Sequence, residues 1–210
     1  IPLFKIYWDK DDLKETAKSI KRGMNWAMGP NIEKFEGLLA KYTGRKYVVV
    51  FNSGTSALHS LLIAYGIGKD DEVIVPSFSF IATSNAVLMT GAKPVFADIE
   101  KETYGLNPAD VEKKITSKTK AIMPMHYGGT ICKEIKKLKE IARKNNLLLI
   151  EDVAESFGAK LDGKLAGNFG DAAMFSFCQT KVFTTGEGGC IVTDSKKIAE
   201  KLKLIRAHGR

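Results

Sequence analysis

The segment AAMFSF at residues 172–177 has the composition of a buried strand, and Lys181 follows it after the polar residues 178–180. A loop with three glycines in four residues, GEGG at 186–189, comes next and opens a second strand-like run that ends at Thr193. Val182 and Phe183 adjoin Lys181, and apolar neighbours that remove water from a lysine favour its neutral amine. A neutral amine is what a Schiff-base lysine needs. The alternative is that Lys181, like most lysines beside a loop, is a solvated surface charge.

The composition is that of one globular domain, or of one and a half. The chain has 210 residues, of which 44% are hydrophobic and 27% are charged, and this is enough for a substantial core. No apolar run has the length of a membrane span, and charged residues such as Lys5 and Asp9 interrupt the start of the chain, so we expect neither a membrane segment nor a signal peptide. The three cysteines lack the spacing of metal ligands, which favours reduced thiols, a cytoplasmic protein and no metal site.

The net charge of +8 is spread thinly along the chain. Lysines occupy the outer faces of predicted helices, as in KEIKKLKE at 133–140, and the basic residues form no arginine cluster and do not alternate with aromatic ones. This pattern is typical of a solvated surface. It argues against a nucleic-acid-binding module, whose binding would fall steeply with salt.

Strand-like and helix-like segments alternate along most of the chain. Runs of β-branched or apolar residues predict strands, and apolar residues at helical spacing predict the helices between them. The run LLLI at 147–150 is apolar throughout, as in a central parallel strand that is buried on both faces. We therefore predict an α/β protein with a mainly parallel sheet and helices on both faces. The predicted strands are 47–51, 72–75, 94–99, 120–125, 147–150, 172–177 and 189–193, and the predicted helices are 11–22, 31–43, 56–65, 80–89, 108–115, 133–145 and 195–207.

Ligands of such sheets bind beyond the carboxyl ends of the strands, so the residues that follow each strand are the candidates for a site. The segment Ser53-Gly54-Thr55-Ser56 follows the first strand and opens a helix whose free N–H groups and positive dipole end suit a phosphate. A plain N-capped turn is the alternative. Ser176, near the end of the sixth strand, is a second candidate phosphate donor.

Other strand ends carry aromatic, acidic and imidazole side chains. Phe78 or Phe80, after the second strand, would stack on a flat ring or else belong to the core. His126, after the fourth strand, is either an acid–base or substrate-contacting residue or a structural histidine. Asp152, after the fifth strand, is either a capping or salt-bridging carboxylate or the partner of a pyridinium nitrogen. Together with Lys181 and the candidate phosphate-binding residues at 53–56 and 176, these residues predict a site for pyridoxal phosphate (PLP).

An ordered set of motifs closely resembles the DegT/DnrJ/StrS family of sugar aminotransferases and covers nearly the whole chain. The resemblance implies a fold-type I PLP enzyme with a seven-stranded sheet, which works as a homodimer with active sites at the subunit interface. The motifs are Gly29-Pro30 with Phe35-Glu36, SGTSAL at 53–58, PSFSF at 76–80, EDVAE at 151–155, SFCQTK at 176–181 and GEGG at 186–189.

The resemblance also implies roles for individual residues. Lys181 would bind PLP covalently and then move the proton of the reaction, and Asp152 would pair with the pyridine nitrogen. Phe80 would stack on the ring. Glu155 stands where the family often has Gln near the cofactor hydroxyl, and Cys178 replaces a frequent His and is interpreted as a packing residue. The phosphate would be held by Gly54, Thr55, Ser56 and Ser176.

The implied reaction is the transfer of an amino group, from glutamate, to a nucleotide-linked keto-sugar, as in polysaccharide biosynthesis. His126 and Thr185 are the candidate substrate contacts. A rival in the same family is a PLP-dependent sugar dehydratase, but known dehydratases replace the lysine with His or add an iron–sulfur cluster, and Lys181 and the scattered cysteines argue against these two forms. A non-catalytic PLP-binding or regulatory protein, or an inactive fragment, is the alternative of another class.

Two segments of the chain are expected from the resemblance. Residues 1–45 would form an N-terminal helical segment that packs on the PLP-binding large domain, residues 46–210. Members of the family are longer than this chain, and the small C-terminal domain that helps to shape the sugar pocket is expected to be absent from it.

Overall fold

A computed structural model gives the fold of the chain and describes residues 4–25 and 28–209. The ends of the first two helices carry residues of the types that cap helices. Asp9 caps the first helix in a capping box with Asp12, and Gly44, with φ of 74°, ends the second helix in the left-handed conformation that glycine tolerates. Within the described residues the helices are α1 (Lys10–Lys21), α2 (Pro30–Thr43), α3 (Gly54–Tyr65), α4 (Ala82–Met89), α5 (Pro108–Lys114), α6 (Ile135–Lys144) and α7 (Lys196–Arg206).

A seven-stranded sheet forms the centre of the molecule. The strands of the described chain are β1 (Tyr47–Phe51), β2 (Glu72–Pro76), β3 (Lys93–Ala97), β4 (Thr119–Ile122), β5 (Leu148–Asp152), β6 (Lys160–Leu161), β7 (Lys164–Leu165), β8 (Ala172–Ser176) and β9 (Gly189–Thr193). The order in the large sheet is β1-β9-β8-β5-β4-β2-β3; β9 is antiparallel to β1 and β8, and the other neighbours pair in parallel. The predicted mainly parallel sheet and the implied number of strands are therefore confirmed.

Two hydrophobic cores lie on the two faces of the sheet, which confirms that helices cover both. Alternate residues of β1 point to opposite cores, as expected for strand geometry: Val48 and Val50 join one, and Val49 joins the other. The first core takes the apolar faces of α2, α5 and α6, and the second takes those of α3, α4 and α7.

Three element boundaries differ from the predictions for identifiable reasons. β5 extends through Glu151 and Asp152, which were expected after the strand, because both residues pair with β8 in the sheet. α4 begins at Ala82, so Phe80 lies in the loop before the helix. β4 ends at Ile122 rather than at residue 125, since Pro124 has no N–H to donate to a ladder.

A small antiparallel hairpin, β6–β7, was not predicted. Its strands have two residues each, too few for a periodic pattern. Its turn is Asp162-Gly163, and both residues have positive φ, of 50° and 77°. Asp-Gly is a preferred sequence for such a two-residue turn, so this dipeptide was the available signal.

The N-terminal segment is held to the sheet by its second helix. α2 packs on β1 and buries Leu39 and Thr43, whereas no residue of α1 is buried. The division into residues 1–45 and 46–210 stays a prediction, and residues 1–3, 26, 27 and 210 of these ranges lie outside the described residues.

The longest helix of the described residues has 14 residues, and none combines the length and apolarity that crossing a membrane requires. The same residues contain no group of three or more His, Cys, Asp or Glu side chains placed to hold a metal ion.

Candidate active site

A cavity of about 190 Å³ lies at the carboxyl edge of the sheet, beside the ends of β1, β5 and β8. It brings together six of the predicted site residues: Gly54, Thr55, Phe80, Asp152, Ser176 and Lys181. A larger cavity, of about 870 Å³, lies near α2, β1 and α7, but no predicted site residue lines it. The smaller cavity is therefore the candidate site, because the predicted site residues lie together there.

The N-terminus of α3 forms one wall of this cavity. Ser53 is the N-cap, and its side chain accepts a hydrogen bond of 3.0 Å from the amide of Ser56. The Ser53 and Ser56 hydroxyls are 2.9 Å apart, so Ser56 takes part in the cap and does not line the cavity. Gly54 and Thr55 do line it, and they precede Ala57, whose amide bonds to the Ser53 carbonyl. The positive end of α3 thus faces the cavity, as anion binding requires.

Close packing around Gly54 brings together the two predicted phosphate-binding groups, the start of α3 and Ser176. A Cβ atom on Gly54 would lie 2.9 Å from Met174 Sδ and 3.1 Å from Ser176 Cβ, and a Cβ on Gly189 would lie 2.6 Å from the Gly54 nitrogen. Both positions therefore need glycine for space. The result is that the start of α3 lies directly against Ser176 on β8.

Asp152 is a buried carboxylate without a cationic partner. It is 3% exposed, and its Oδ2 accepts a hydrogen bond of 2.8 Å from the Thr83 hydroxyl, while Oδ1 accepts one of 3.1 Å from the Ala154 amide. No Lys, Arg or His among the described residues lies within ion-pair distance of it. Burial raises the pKa of Asp152 above its ordinary value, although the two hydrogen bonds act in the opposite direction. A buried charge of this kind is costly unless a cation joins it.

Lys181 lies in the turn after β8 and reaches the cavity. Its Nζ is 3.6 Å from Oε1 of Glu155, whose Oε2 accepts a hydrogen bond from the Gly128 amide. The expected shielding of Lys181 by Val182 is wrong, since Val182 is 70% exposed. The lysine side chain is nonetheless only 19% exposed, because the cavity walls and Glu155 surround it.

Phe80 lies on the rim of the cavity, 65% exposed, where one face of a flat ligand would meet it. Phe78, the other candidate for stacking, packs instead against Tyr104 and Tyr127, with ring centroids 5.4 and 4.8 Å away. Of the two phenylalanines, only Phe80 lines the cavity.

His126 lies outside the cavity in a fully buried network. Its Nδ1 accepts a hydrogen bond from the Cys132 amide, so the ring is protonated on Nε2 and donates to Glu151 Oε2 at 3.0 Å. This arrangement favours the structural alternative for His126. Thr185, the other candidate substrate contact, is in the loop after Lys181, where its hydroxyl donates to the Glu187 carbonyl, and it does not line the cavity either. Both roles stay predictions.

Sequence reasoning missed several residues of the site. Thr83 was inside a predicted helix with no separate signal, and its contact with Asp152 spans 69 positions of the chain. Met125 and Met174 line the cavity, and so does Cys178, which was interpreted as a packing residue. For Met125 and Cys178 an available signal was their position at or just beyond the end of a predicted strand, whereas Met174 lies inside one.

The comparison with known families agrees with this geometry, since the DegT/DnrJ/EryC1/StrS aminotransferase family matches residues 8–210. The chain belongs to this family. It is 48% identical to a GDP-perosamine synthase of Caulobacter vibrioides over 183 residues, which are 87% of this chain and 49% of that protein. The chain spans about half the length of the curated relatives it matches.

Solved structures of aminotransferases have the same fold. An aminotransferase from Psychrobacter cryohalolentis superposes with a TM-score of 0.94 at 32% identity, over 100% of this chain and 53% of that one. A sugar aminotransferase from Streptococcus pneumoniae, described as putative and solved in a PLP form, superposes with a TM-score of 0.94 at 27% identity, over 100% of this chain and 58% of that one. The fold is therefore that of the PLP-dependent fold-type I aminotransferases.

PLP is the cofactor of this family, and the cavity has the groups to hold it. The α3 N-terminus and Ser176 would offer donors to its phosphate, Lys181 would offer an amine to its aldehyde, and Asp152 would offer a carboxylate to its ring nitrogen. The buried Asp152 carboxylate is the most specific sign of fit, because no cation among the described residues pairs with it and a protonated pyridine would supply one.

Replacing Asp152 with Asn is expected to stabilise the cofactor-free protein. Asn keeps the shape, accepts from Ala154 and donates to Thr83, but it removes the buried charge. Because the folded pKa of Asp152 is raised, wild-type stability is expected to fall as the pH rises from the ordinary carboxylate range through that raised pKa. At neutral pH we expect D152N to be about 1–3 kcal/mol more stable in urea unfolding, with a flatter pH dependence.

The matched control for this measurement is Asp70→Asn. Asp70 is exposed and has φ of 71°, which Asn accepts readily, so the change should be within about 0.5 kcal/mol. A D152N protein that is no more stable than wild type at neutral pH, with the same pH dependence, would show that the Asp152 charge costs little.

Replacing Gly189 with Ala is expected to weaken PLP binding. The new Cβ would overlap the Gly54 nitrogen and force the start of α3 away from Ser176. We expect the dissociation constant of PLP, from absorbance titration, to rise by about tenfold or more, which corresponds to the usual penalty for overpacking. Gly37→Ala is the control, because a Cβ there meets nothing within 4 Å in the exposed face of α2. Equal PLP affinity in G189A and wild type would contradict the packing argument.

Proposed function

We propose that the protein is a PLP-dependent aminotransferase that moves an amino group from glutamate to a nucleotide-linked keto-sugar. The observation that carries this proposal is the meeting of Lys181 and the buried Asp152 in one cavity, beside a helix N-terminus that suits a phosphate. The curated relatives support the sugar substrate, since their names include GDP-perosamine synthase and a dTDP-amino-sugar transaminase.

The residues of the cavity would have separate roles in such a reaction. When bound, PLP supplies an electron sink that lets a C–H bond beside the amino nitrogen break. Asp152 would support this by favouring a positive charge on the ring nitrogen, and Phe80 would offer an aromatic face to the ring. The α3 N-terminus and Ser176 would hold the phosphate and so help to fix the position of the reacting atoms.

Lys181 is the group that holds and moves the proton. The free amine of Lys181 would take the proton from the carbon of the amino donor and return it to another carbon. Glu155, 3.6 Å from Nζ, limits the directions in which the freed amine can turn and is itself fixed by the Gly128 amide.

The protein is proposed to work as a homodimer with shared active sites. Support comes from the rim of the cavity, where Phe80 and Ile81 are 65% and 64% exposed, since large apolar side chains exposed together mark interaction surfaces. The proposed location is the cytoplasm, because the three cysteines are unpaired, as thiols are in a reducing compartment.

The test is a half-reaction of the full-length protein that carries this chain, loaded with PLP and given glutamate without a sugar. We expect about one equivalent of 2-oxoglutarate per site and no further turnover, because a two-stage transfer stops when the amino group has no acceptor. Lys181→Ala should release none, whereas Lys164→Ala, in the β6–β7 hairpin, should behave as wild type.

Two results would contradict the proposal. Release of 2-oxoglutarate only when glutamate and a keto-sugar are both present would show that the transfer does not proceed in two stages. A Lys181→Ala protein with wild-type release would show that another group moves the proton.

A further inference from the structure

The Thr83 side chain is one of two groups that hold the Asp152 carboxylate. Thr83 lies in the first turn of α4 and is 2% exposed, and its Oγ1 donates to Asp152 Oδ2 at 2.8 Å. The other donor is the Ala154 amide, which a substitution of side chains cannot remove. Thr83 is thus the only side chain of the described residues that hydrogen-bonds to Asp152.

A second hydroxyl stands behind the first. Ser79 Oγ is 2.6 Å from Thr83 Oγ1. An ionised carboxylate can only accept, so the Thr83 proton points at Asp152 and its oxygen must accept the proton of Ser79. The order is therefore Ser79 to Thr83 to Asp152, and hydrogen bonds in such a chain strengthen one another.

The titratable groups near Asp152 do not replace these hydroxyls. Lys181, from the loop after β8, has its amine beside Glu155, and His126, from the segment after β4, gives its ring proton to Glu151. The Lys181 charge lowers the pKa of Asp152 from a distance, but neither residue makes a hydrogen bond to it.

We propose that Thr83, supported by Ser79, is a positioning residue that keeps Asp152 ionised and fixed toward the cofactor site. This inference rests on the proposed function. Neither hydroxyl lines the cavity, so both act on the cofactor through the carboxylate alone. The charge on the ring nitrogen that PLP chemistry needs would then depend on the hydroxyl of a residue in α4 that does not itself line the cavity.

The test is PLP affinity as a function of pH in the full-length protein. Thr83→Val keeps the shape and removes the donor, so the carboxylate ionises at higher pH. We expect the PLP dissociation constant of T83V to rise on the order of tenfold at about pH 6 and the difference to shrink toward about pH 9. Thr83→Ser should restore affinity to within about threefold, because serine supplies the same donor.

Ser84→Ala is the control. Ser84 is in the same turn of α4, but its hydroxyl donates to the Ile81 carbonyl, so its loss should leave PLP affinity unchanged at every pH. If T83V does not fold, Ser79→Ala is the variant to measure. A smaller loss of PLP affinity with the same dependence on pH supports the proposal, and unchanged PLP affinity overturns it.

Three outcomes separate the ideas. An affinity loss in T83V that is equal at all pH values and is not restored by serine overturns the proposal in favour of simple packing. Wild-type affinity in T83V also overturns it and leaves the aminotransferase intact. A wild-type protein that binds no PLP at any pH contradicts the proposed function itself.

Discussion

The burial of one carboxylate, that of Asp152, is the constraint on which the candidate site depends. β5 carries this residue into the interior as part of the sheet, and among the described residues only two neutral donors form hydrogen bonds with it there. Ionising a carboxylate buried in this way costs stability unless a cation joins it. The α3 N-terminus, Ser176 and Lys181 surround the same cavity, so a PLP ring nitrogen that supplied this cation would have the groups that suit the rest of the cofactor around it.

Glu151, the residue before Asp152, is a buried carboxylate whose hydrogen-bond donors are supplied by the protein itself. Glu151 points to the opposite side of β5 and accepts from the His126 ring and from the amides of Gly167, Phe169 and Gly170, at 2.6–3.0 Å. Burial raises the pKa of Glu151, but these donors outweigh it and the net shift is downward, whereas the pKa of Asp152 is raised. Two adjacent acids in one strand thus have different purposes: Glu151 fixes the loop at 167–170, and Asp152 is left short of partners.

Sequence reasoning located the cavity because strand ends in a parallel sheet converge. Asp152, Lys181, Ser176 and the start of α3 are far apart in the chain, yet each follows or ends a predicted strand, and that was enough to group them. Sequence reasoning failed where the surroundings of a side chain depended on residues that are distant in the chain.

The failures have physical reasons. The neighbours of Lys181 in sequence suggested shielding by Val182, but the turn directs Val182 into solvent and Glu155 lies beside the amine instead. The role of Thr83 could not be predicted, because a hydroxyl inside a helix pattern gives no sign of which strand its helix will face. The sequence left His126 as either an acid–base or substrate-contacting residue or a structural one. Only its hydrogen-bond partners in the fold, Glu151 and the Cys132 amide, favour the structural alternative.

The most direct test of the account is to load the full-length protein with PLP, reduce it with borohydride and map the modified peptide by mass spectrometry. The account predicts that the cofactor is fixed to Lys181 and to no other of the many lysines of the chain, because only Lys181 lines the cavity that holds Asp152. Modification spread over surface lysines, or a single modification at a different lysine, would contradict it.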